Sequence, residues 1–113
     1  MNGTNNECVS EKDGDFVIVR LKGEVDLSWS QQVRRTILDA LGAGNKVGVD
    51  LSQVSYIDSS GIAALVEGFQ NARSKGTKFA LVAASSAVMS VLQLARLDKV
   101  FPLFASIEAA RAA

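Results

Sequence analysis

The spacing of apolar residues changes several times along this chain, and no other feature narrows the possible folds as much. A nearly continuous β-branched run at residues 16–21 follows the turn signal Asp13-Gly14-Asp15. It predicts the second arm of a β-hairpin, with residues 8–12 as the first arm. The next apolar residues recur at every fourth position, as Trp29, Val33, Ile37 and Leu41. This period predicts an amphipathic helix directly after the hairpin.

The same alternation continues to the end of the chain. Strand-like runs cover residues 47–51, 78–83 and 100–104, and residues 54–57 either extend the first of these runs or form a second piece. Helical periods begin at Ser59, at Ser85 or Ser86, and at Ser106. Because a crossover through a helix places the joined strands in parallel, we expect an α/β fold. Its mixed sheet would have four to five strands, an N-terminal hairpin followed by parallel strands, and about four helices.

Small and polar residues indicate where the helices begin and end. Ser28 or Ser30 is expected to cap the start of the first helix. Gly42 and Gly44 are expected to end that helix, and Gly76 is expected to end the central helix. Each would adopt the left-handed conformation that is unfavourable for other residues.

The composition excludes several classes of function. A chain of 113 residues is expected to form one domain, and its 48% hydrophobic content supplies a core without metal or disulfide support. Twelve basic residues balance twelve acidic ones, which argues against a nucleic-acid binder. Histidine is absent and Cys8 is the single cysteine. Histidine-dependent catalysis and histidine or cysteine-rich metal sites are therefore excluded, and we expect neither cofactor nor metal.

The first residues of the chain carry no targeting signal. Residues 1–7 are polar and resemble neither a secretory signal nor a membrane anchor, so they are expected to form a flexible tail before a single domain over residues 8–113. No apolar stretch approaches the roughly 20 residues of a membrane-spanning helix. We therefore expect a cytoplasmic protein.

The segment Asp58-Ser59-Ser60-Gly61 is first of all a helix start, because Asp and Ser side chains accept hydrogen bonds from first-turn amides. Two serines at one turn exceed what capping requires. Gly61, Ala63 and Ala64 are also expected to leave the backbone open to a large partner. A phosphate on an accessible serine would lie beside free amides at the positive helix end, where anions are accepted with little strain. Phosphorylation is therefore expected to act on a docked partner and not to unfold the domain.

Three segments each follow the carboxyl end of a predicted strand, namely residues 24–29, 58–61 and 84–87. In open α/β sheets this edge is where ligands and partners usually bind, so we expect the three loops to gather there. Asp26 would lie beside the serines, and it either holds the loop, caps a helix or contacts the partner. Trp29 either anchors a partner or extends the apolar stripe of its helix into the core, and the core interpretation is favoured.

Several motifs in one order and spacing resemble the STAS domain family, and within it the bacterial anti-sigma factor antagonists. They are Gly23-Glu24-Val25-Asp26, Val54-Ser55-Tyr56-Ile57, Asp58-Ser59-Ser60-Gly61-Ile62, and Lys75-Gly76 before the strand at residues 79–82. The resemblance covers residues 9–109. It implies helices packed mainly on one face of the sheet, and a regulatory binding protein instead of an enzyme.

In such antagonists the serine directly after the aspartate accepts the phosphate, and that serine corresponds to Ser59 here. The resemblance implies that the unphosphorylated protein binds an anti-sigma factor, often itself the serine kinase, and so releases the sigma factor. Phosphorylation ends this binding, and a serine phosphatase restores it. The residues expected to contact the partner are Asp26, Asp58, Ser59, Ser60, Gly61, Ala63, Ala64 and Glu67.

Other interpretations stay open or are disfavoured. Similar stand-alone domains also serve as small cytoplasmic subunits of lipid-trafficking ABC transporters, and this remains the alternative function. A serine hydrolase that uses Ser59 is hard to sustain without a histidine or an evident substitute base. Cys8 is expected to be an inert strand residue, because nothing cationic near it in the sequence would stabilise a thiolate.

Overall fold

A computed structural model describes residues 6–113 of the chain. The chain forms β1 (Glu7–Asp13), β2 (Phe16–Val25), α1 (Leu27–Gly42), β3 (Lys46–Ile57), α2 (Ser59–Lys75), β4 (Phe79–Val82), α3 (Ser86–Leu94), a 3-10 turn (Leu97–Lys99), β5 (Leu103–Phe104) and α4 (Ile107–Ala112). The tail expected over residues 1–7 lies, for residues 1–5, outside the described residues, and Glu7 already belongs to β1.

One five-stranded sheet has the strand order β1-β2-β3-β4-β5. β1 and β2 form the predicted antiparallel hairpin, turned at Gly14, whose φ of +66° is easy for glycine. All later neighbours are parallel, as the helical crossovers predicted. Residues 54–57 extend β3 into one strand, and the irregularities of its pairing with β2 lie between Arg20 and Lys22 and between Gly23 and Glu24. The α/β class and the mixed sheet are confirmed.

Most helices lie on one face of the sheet. α1, α2 and α3 cover a core whose buried side chains include Val19, Val49, Leu81, Val33, Ile37, Leu41, Leu65, Val88 and Leu92. Trp29 is partly buried against this core, in agreement with the favoured interpretation. The short α4 packs on the opposite face, where Ala110 joins Ala80 and Val82 in a smaller apolar cluster.

The start of α1 is not capped by Ser28 or Ser30, and the capping role left open for Asp26 is the one observed. Its N-cap is Asp26, whose Oδ1 accepts hydrogen bonds from the Ser28 amide at 3.0 Å and the Ser28 hydroxyl at 2.6 Å. Ser30 also fails to cap the helix, since its hydroxyl donates back to the Leu27 carbonyl at 3.4 Å. A carboxylate directly ahead of the first turn accepts from both donors of Ser28, so the serines become donors instead of caps.

The helix ends follow the prediction more closely. Gly76 adopts the left-handed conformation after α2, at φ +70°, and its amide bonds back to the last turn. Gly42 lies within α1 itself, and Ala43 follows it at φ −81°. Of the two glycines expected to end α1, only Gly44, at φ +89°, is left-handed.

Candidate functional site

The ends of β2 and β3 place the starts of α1 and α2 side by side. Val25 and Ile57 are partners at the end of the two parallel strands. One residue later the Asp58 amide donates to the Val25 carbonyl at 3.2 Å. Asp26 and Asp58 therefore occupy equivalent positions, each as the N-cap of the helix that follows its strand. Residues 24–29 and 58–61 meet at one edge of the sheet, as predicted.

The third predicted loop does not reach that edge. Ser85 caps α3, and its hydroxyl donates to the Val54 carbonyl at 2.7 Å. Val54 lies three residues before the end of β3, and at roughly 3.3 Å per residue α3 begins about 10 Å behind the edge. The prediction that three loops gather at one end is correct for two of them.

Asp58 uses the free donors at the start of α2. Its Oδ1 accepts hydrogen bonds from the Ser60 amide at 2.9 Å, the Gly61 amide at 3.2 Å and the Ser60 hydroxyl at 2.6 Å. The Ser60 hydroxyl, and after it the backbone amides of the first turn, lower the pKa of Asp58 below its ordinary 3.8 against the opposing effect of burial. The carboxylate therefore already takes the Ser60 and Gly61 amides, two of the first-turn amides expected to be free for a phosphate.

The two adjacent serines differ in their surroundings. Ser59 is the first residue of α2 and is exposed, and its side chain makes no hydrogen bond to any of residues 6–113. Ser60 is half-buried, and its hydroxyl donates to Asp58. Of the two serines, Ser59 is therefore the more exposed, and its hydroxyl is the one that no hydrogen bond to residues 6–113 engages.

The small residues after the serines are less open than expected. Ala63 is exposed, whereas Gly61 is buried and Ala64 is only 3% exposed. A methyl group added at Gly61 would lie 2.8 Å from the Val25 carbonyl oxygen and 2.7 Å from Ile57 Cγ1. Glycine therefore serves close packing of α2 on the strand ends and not access for a partner. The expectation of an open backbone holds at Ala63 and is wrong at Gly61 and Ala64.

Glu67 belongs to a link between the two helices. The Arg34 guanidinium of α1 donates to both oxygens of Glu67, Nε at 2.6 Å and a terminal nitrogen at 2.8 Å. These bonds lower the pKa of Glu67 and raise that of Arg34. Both side chains are a little under half exposed, and the pair links α1 to α2 on their outer face.

Leu27 is a surface feature that the sequence analysis missed. It is the first residue of α1 and 72% exposed. It lines a shallow groove between the two helices together with Ser30, Gln31, Arg34, Ser60, Ala63, Ala64 and Glu67. The signal was present, since Asp26-Leu27-Ser28 and Asp58-Ser59-Ser60 share one pattern, which places an exposed leucine where α2 has its exposed serine.

Other chemistry finds little support in the described part of the chain. Residues 6–113 contain no cluster of three potential metal-ligating His, Cys, Asp or Glu side chains. None of the helices formed by these residues is long and apolar enough to cross a membrane. Burial raises the pKa of the half-buried Cys8 thiol, which keeps it in the less reactive protonated form.

The chain is similar to known proteins over most of its length. An anti-sigma F factor antagonist of Paenibacillus polymyxa is 27% identical over 102 residues, which are 88% of this chain and 87% of that protein. A Thermotoga maritima protein is 31% identical over 98 residues, which are 85% of this chain and 87% of that protein. The solved phosphorylated form of the Bacillus cell fate determinant SpoIIAA superposes with a TM-score of 0.73 at 23% identity, covering 94% of this chain and 97% of that one.

The family assignment rests on the extent of the match as well as on these relatives. The sequence model of the STAS domain matches residues 8–110, from β1 into α4. That range includes the starts of α1 and α2 and all of the sheet except Glu7, the first residue of β1. This chain belongs to the STAS domain family.

Proposed function

We propose that this protein is an anti-sigma factor antagonist controlled by phosphorylation of Ser59. In its unphosphorylated form it binds an anti-sigma factor that is also a serine kinase, and so releases the sigma factor. A serine phosphatase reverses the modification, and the exchange takes place in the cytoplasm. The names of the relatives support this class of function. The observation that carries the proposal is the exposed Ser59 hydroxyl, which no side-chain hydrogen bond to residues 6–113 restrains.

The proposed contact surface is the outer face of the two helix starts. Its accessible members are Asp26, Asp58, Ser59, Ser60, Ala63 and Glu67, to which the structure adds Leu27. Gly61 and Ala64 act from beneath, by packing α2 closely enough to hold this surface together. The protein's role here is binding, and no residue on this face is assigned a catalytic step.

The charge of a phosphate on Ser59 would remain on the surface. The carboxylate of Asp58 already takes the Ser60 and Gly61 amides, so these two donors are not available to neutralise the roughly two further negative charges of a phosphate. The phosphate would instead meet the docked partner through its bulk and charge. Like charges brought together in an interface cost on the order of several kcal/mol, which corresponds to several decades in affinity.

The test compares two serines that occupy the same helix position. Ser86 is exposed and opens α3, as Ser59 opens α2, but the start of α3 is set back from the site. We expect Ser59→Glu to lose binding to the anti-sigma factor in a pull-down, and Ser86→Glu to keep it. Ser59→Ala should bind like the parent and take up at least about tenfold less phosphate from the kinase and ATP.

Two outcomes would contradict the proposal. Equal binding by Ser59→Glu and the parent would remove the switch. Stable co-purification with a membrane transport complex, unaffected by phosphorylation, would favour the transporter-subunit alternative.

A further inference from the structure

We propose that Asp58 confines phosphorylation to Ser59 by holding the hydroxyl of the neighbouring Ser60 in a hydrogen bond. The inference rests on the proposed function and adds which of two adjacent serines is modified, and by what physical means. Asp58 is then a positioning residue that determines the site of modification, in addition to capping α2.

The contrast between the two hydroxyl groups carries the inference. The Ser60 hydroxyl lies 2.6 Å from Asp58 Oδ1, and the Ser60 amide donates to the same oxygen at 2.9 Å. Two bonds from one residue to one carboxylate fix both its backbone and its side chain. Ser60 is also half-buried, whereas Ser59 is exposed. To phosphorylate Ser60, a kinase must therefore break the charge-assisted hydrogen bond between its hydroxyl and Asp58. The Ser59 hydroxyl requires no such bond to be broken.

The transfer reaction makes this difference matter. The serine oxygen attacks the γ-phosphorus of ATP, the bond to the bridging oxygen breaks, ADP leaves, and the hydroxyl proton passes to a base of the kinase. The Ser60 proton is already directed at Asp58 and away from any external base. The Ser60 hydroxyl and the first-turn amides lower the pKa of Asp58, so its carboxylate is held in the charged form that accepts this hydrogen bond.

The product at Ser60 would also be unfavourable. A phosphate there would place about two negative charges beside the Asp58 carboxylate and would remove the hydroxyl donor of the helix cap. After exchange with water is taken into account, one hydrogen bond to a charged group changes an equilibrium by roughly tenfold to a hundredfold. Because the site is half exposed, we expect the lower end of this range, a preference of about tenfold or more for Ser59.

The same hydrogen bond between a serine hydroxyl and an aspartate two residues earlier occurs elsewhere in the chain. The Ser28 hydroxyl donates to Asp26 Oδ1 at 2.6 Å, and the Ser52 hydroxyl donates to Asp50 Oδ1 at 2.7 Å. Both of these serines are exposed, so exposure alone does not make a hydroxyl available. An aspartate two residues before a serine therefore engages its hydroxyl in the same way at three places, the starts of α1 and α2 and the irregular part of β3.

The first experiment incubates the parent, Ser59→Ala and Ser60→Ala with ATP and the kinase activity of an extract from the source cells, and locates the phosphate by fragmentation mass spectrometry. We expect the parent and Ser60→Ala to carry it on Ser59, and Ser59→Ala to carry at least about tenfold less at any serine of the site. Modification of Ser60 in Ser59→Ala at the parental rate would overturn the inference while leaving the switch itself intact. An unmodified Ser59 in the parent would contradict the proposed function instead.

A second experiment tests Asp58 without any kinase. In a solution NMR spectrum of the parent, the Ser60 hydroxyl proton should exchange with water more slowly than the Ser59 hydroxyl proton. Asp58→Ala should remove that protection, and Asp58→Asn, which keeps an acceptor and a good N-cap, should retain part of it. Amide spectra of both variants report whether α2 remains folded. Equal exchange of the two hydroxyl protons in the parent would overturn the inference, whatever the kinase does.

Discussion

Replacing Gly61 with alanine tests whether the close packing of α2 against the ends of β2 and β3 is required for stability. The added methyl group would lie 2.8 Å from the Val25 carbonyl oxygen, 2.8 Å from Val25 Cγ1 and 2.7 Å from Ile57 Cγ1. The carbonyl oxygen cannot easily move, because it accepts the Asp58 amide. Something in the junction of β2 and α2 must shift, and the exposed Ser59 would shift with it.

Two opposing effects set the size of the change. Alanine is favoured over glycine in a helix interior by about 1 kcal/mol, and this gain is at most that large in the first turn. Overpacking a close-packed contact typically costs about 1–3 kcal/mol, and three contacts under 3 Å place Gly61 toward the upper end. The clash therefore outweighs the helix propensity, and we expect the free energy of unfolding to fall by about 1–2 kcal/mol.

Urea unfolding followed by circular dichroism measures this change, and an unaltered slope would show that both proteins unfold by the same transition. The matched control is Gly42→Ala, since Gly42 is also helical and an added methyl group there meets nothing within 4 Å. We expect Gly42→Ala to raise the free energy of unfolding by up to about 1 kcal/mol. If Gly61→Ala proved as stable as the parent, the account of this junction as a close-packed contact would be refuted.

Three further predictions concern other parts of the molecule. Arg96→Gly should raise the free energy of unfolding by about 1 kcal/mol, because Arg96 has a left-handed backbone at φ +62°. A lower stability of this variant in thermal unfolding would contradict this reasoning. Leu27→Ala should weaken binding of the anti-sigma factor by roughly tenfold, whereas Leu94→Ala, 86% exposed on α3, should leave it unchanged; equal effects on the measured dissociation constant would exclude Leu27 as an anchor. Because the folded state lowers the pKa of Asp58, its contribution to stability is present above the ordinary 3.8 and is lost as the pH falls through the lower folded value. Between about pH 5 and pH 2 the free energy of unfolding should therefore decrease less for Asp58→Asn than for the parent. An identical decrease in the two proteins would argue against a stabilising role of the Asp58 carboxylate.

The features predictable from the sequence are those that local periodicity and special residues determine. The α2 stripe that includes Leu65 and Ala72, and the left-handed Gly76 that ends the helix, follow from spacing alone. The hairpin follows from the turn at Gly14 between two β-type runs. These elements depend on contacts close in the chain, so the sequence pattern carries the information directly.

The features that escaped prediction depend on contacts between distant segments. The burial of Gly61 depends on the approach of Val25, which lies 36 residues earlier in the chain and is brought there by the parallel pairing of β2 and β3. The choice of Asp26 over Ser28 as cap depended on where the strand ends and the helix begins, which propensity fixes only to within a few residues. The third loop fell short of the edge because β3 extends well beyond its pairing with β4, which ends at Asp50.

The most direct measurement compares the affinity of the purified anti-sigma factor for three forms of this protein. They are the unmodified protein, the protein with phosphoserine incorporated at position 59, and the protein with phosphoserine at position 86. Isothermal titration calorimetry gives each dissociation constant. We expect phosphoserine at position 59 to weaken binding by about 100-fold or more, and phosphoserine at position 86 to leave the affinity unchanged. Equal affinities for the unmodified protein and the form phosphorylated at position 59 would contradict the central claim.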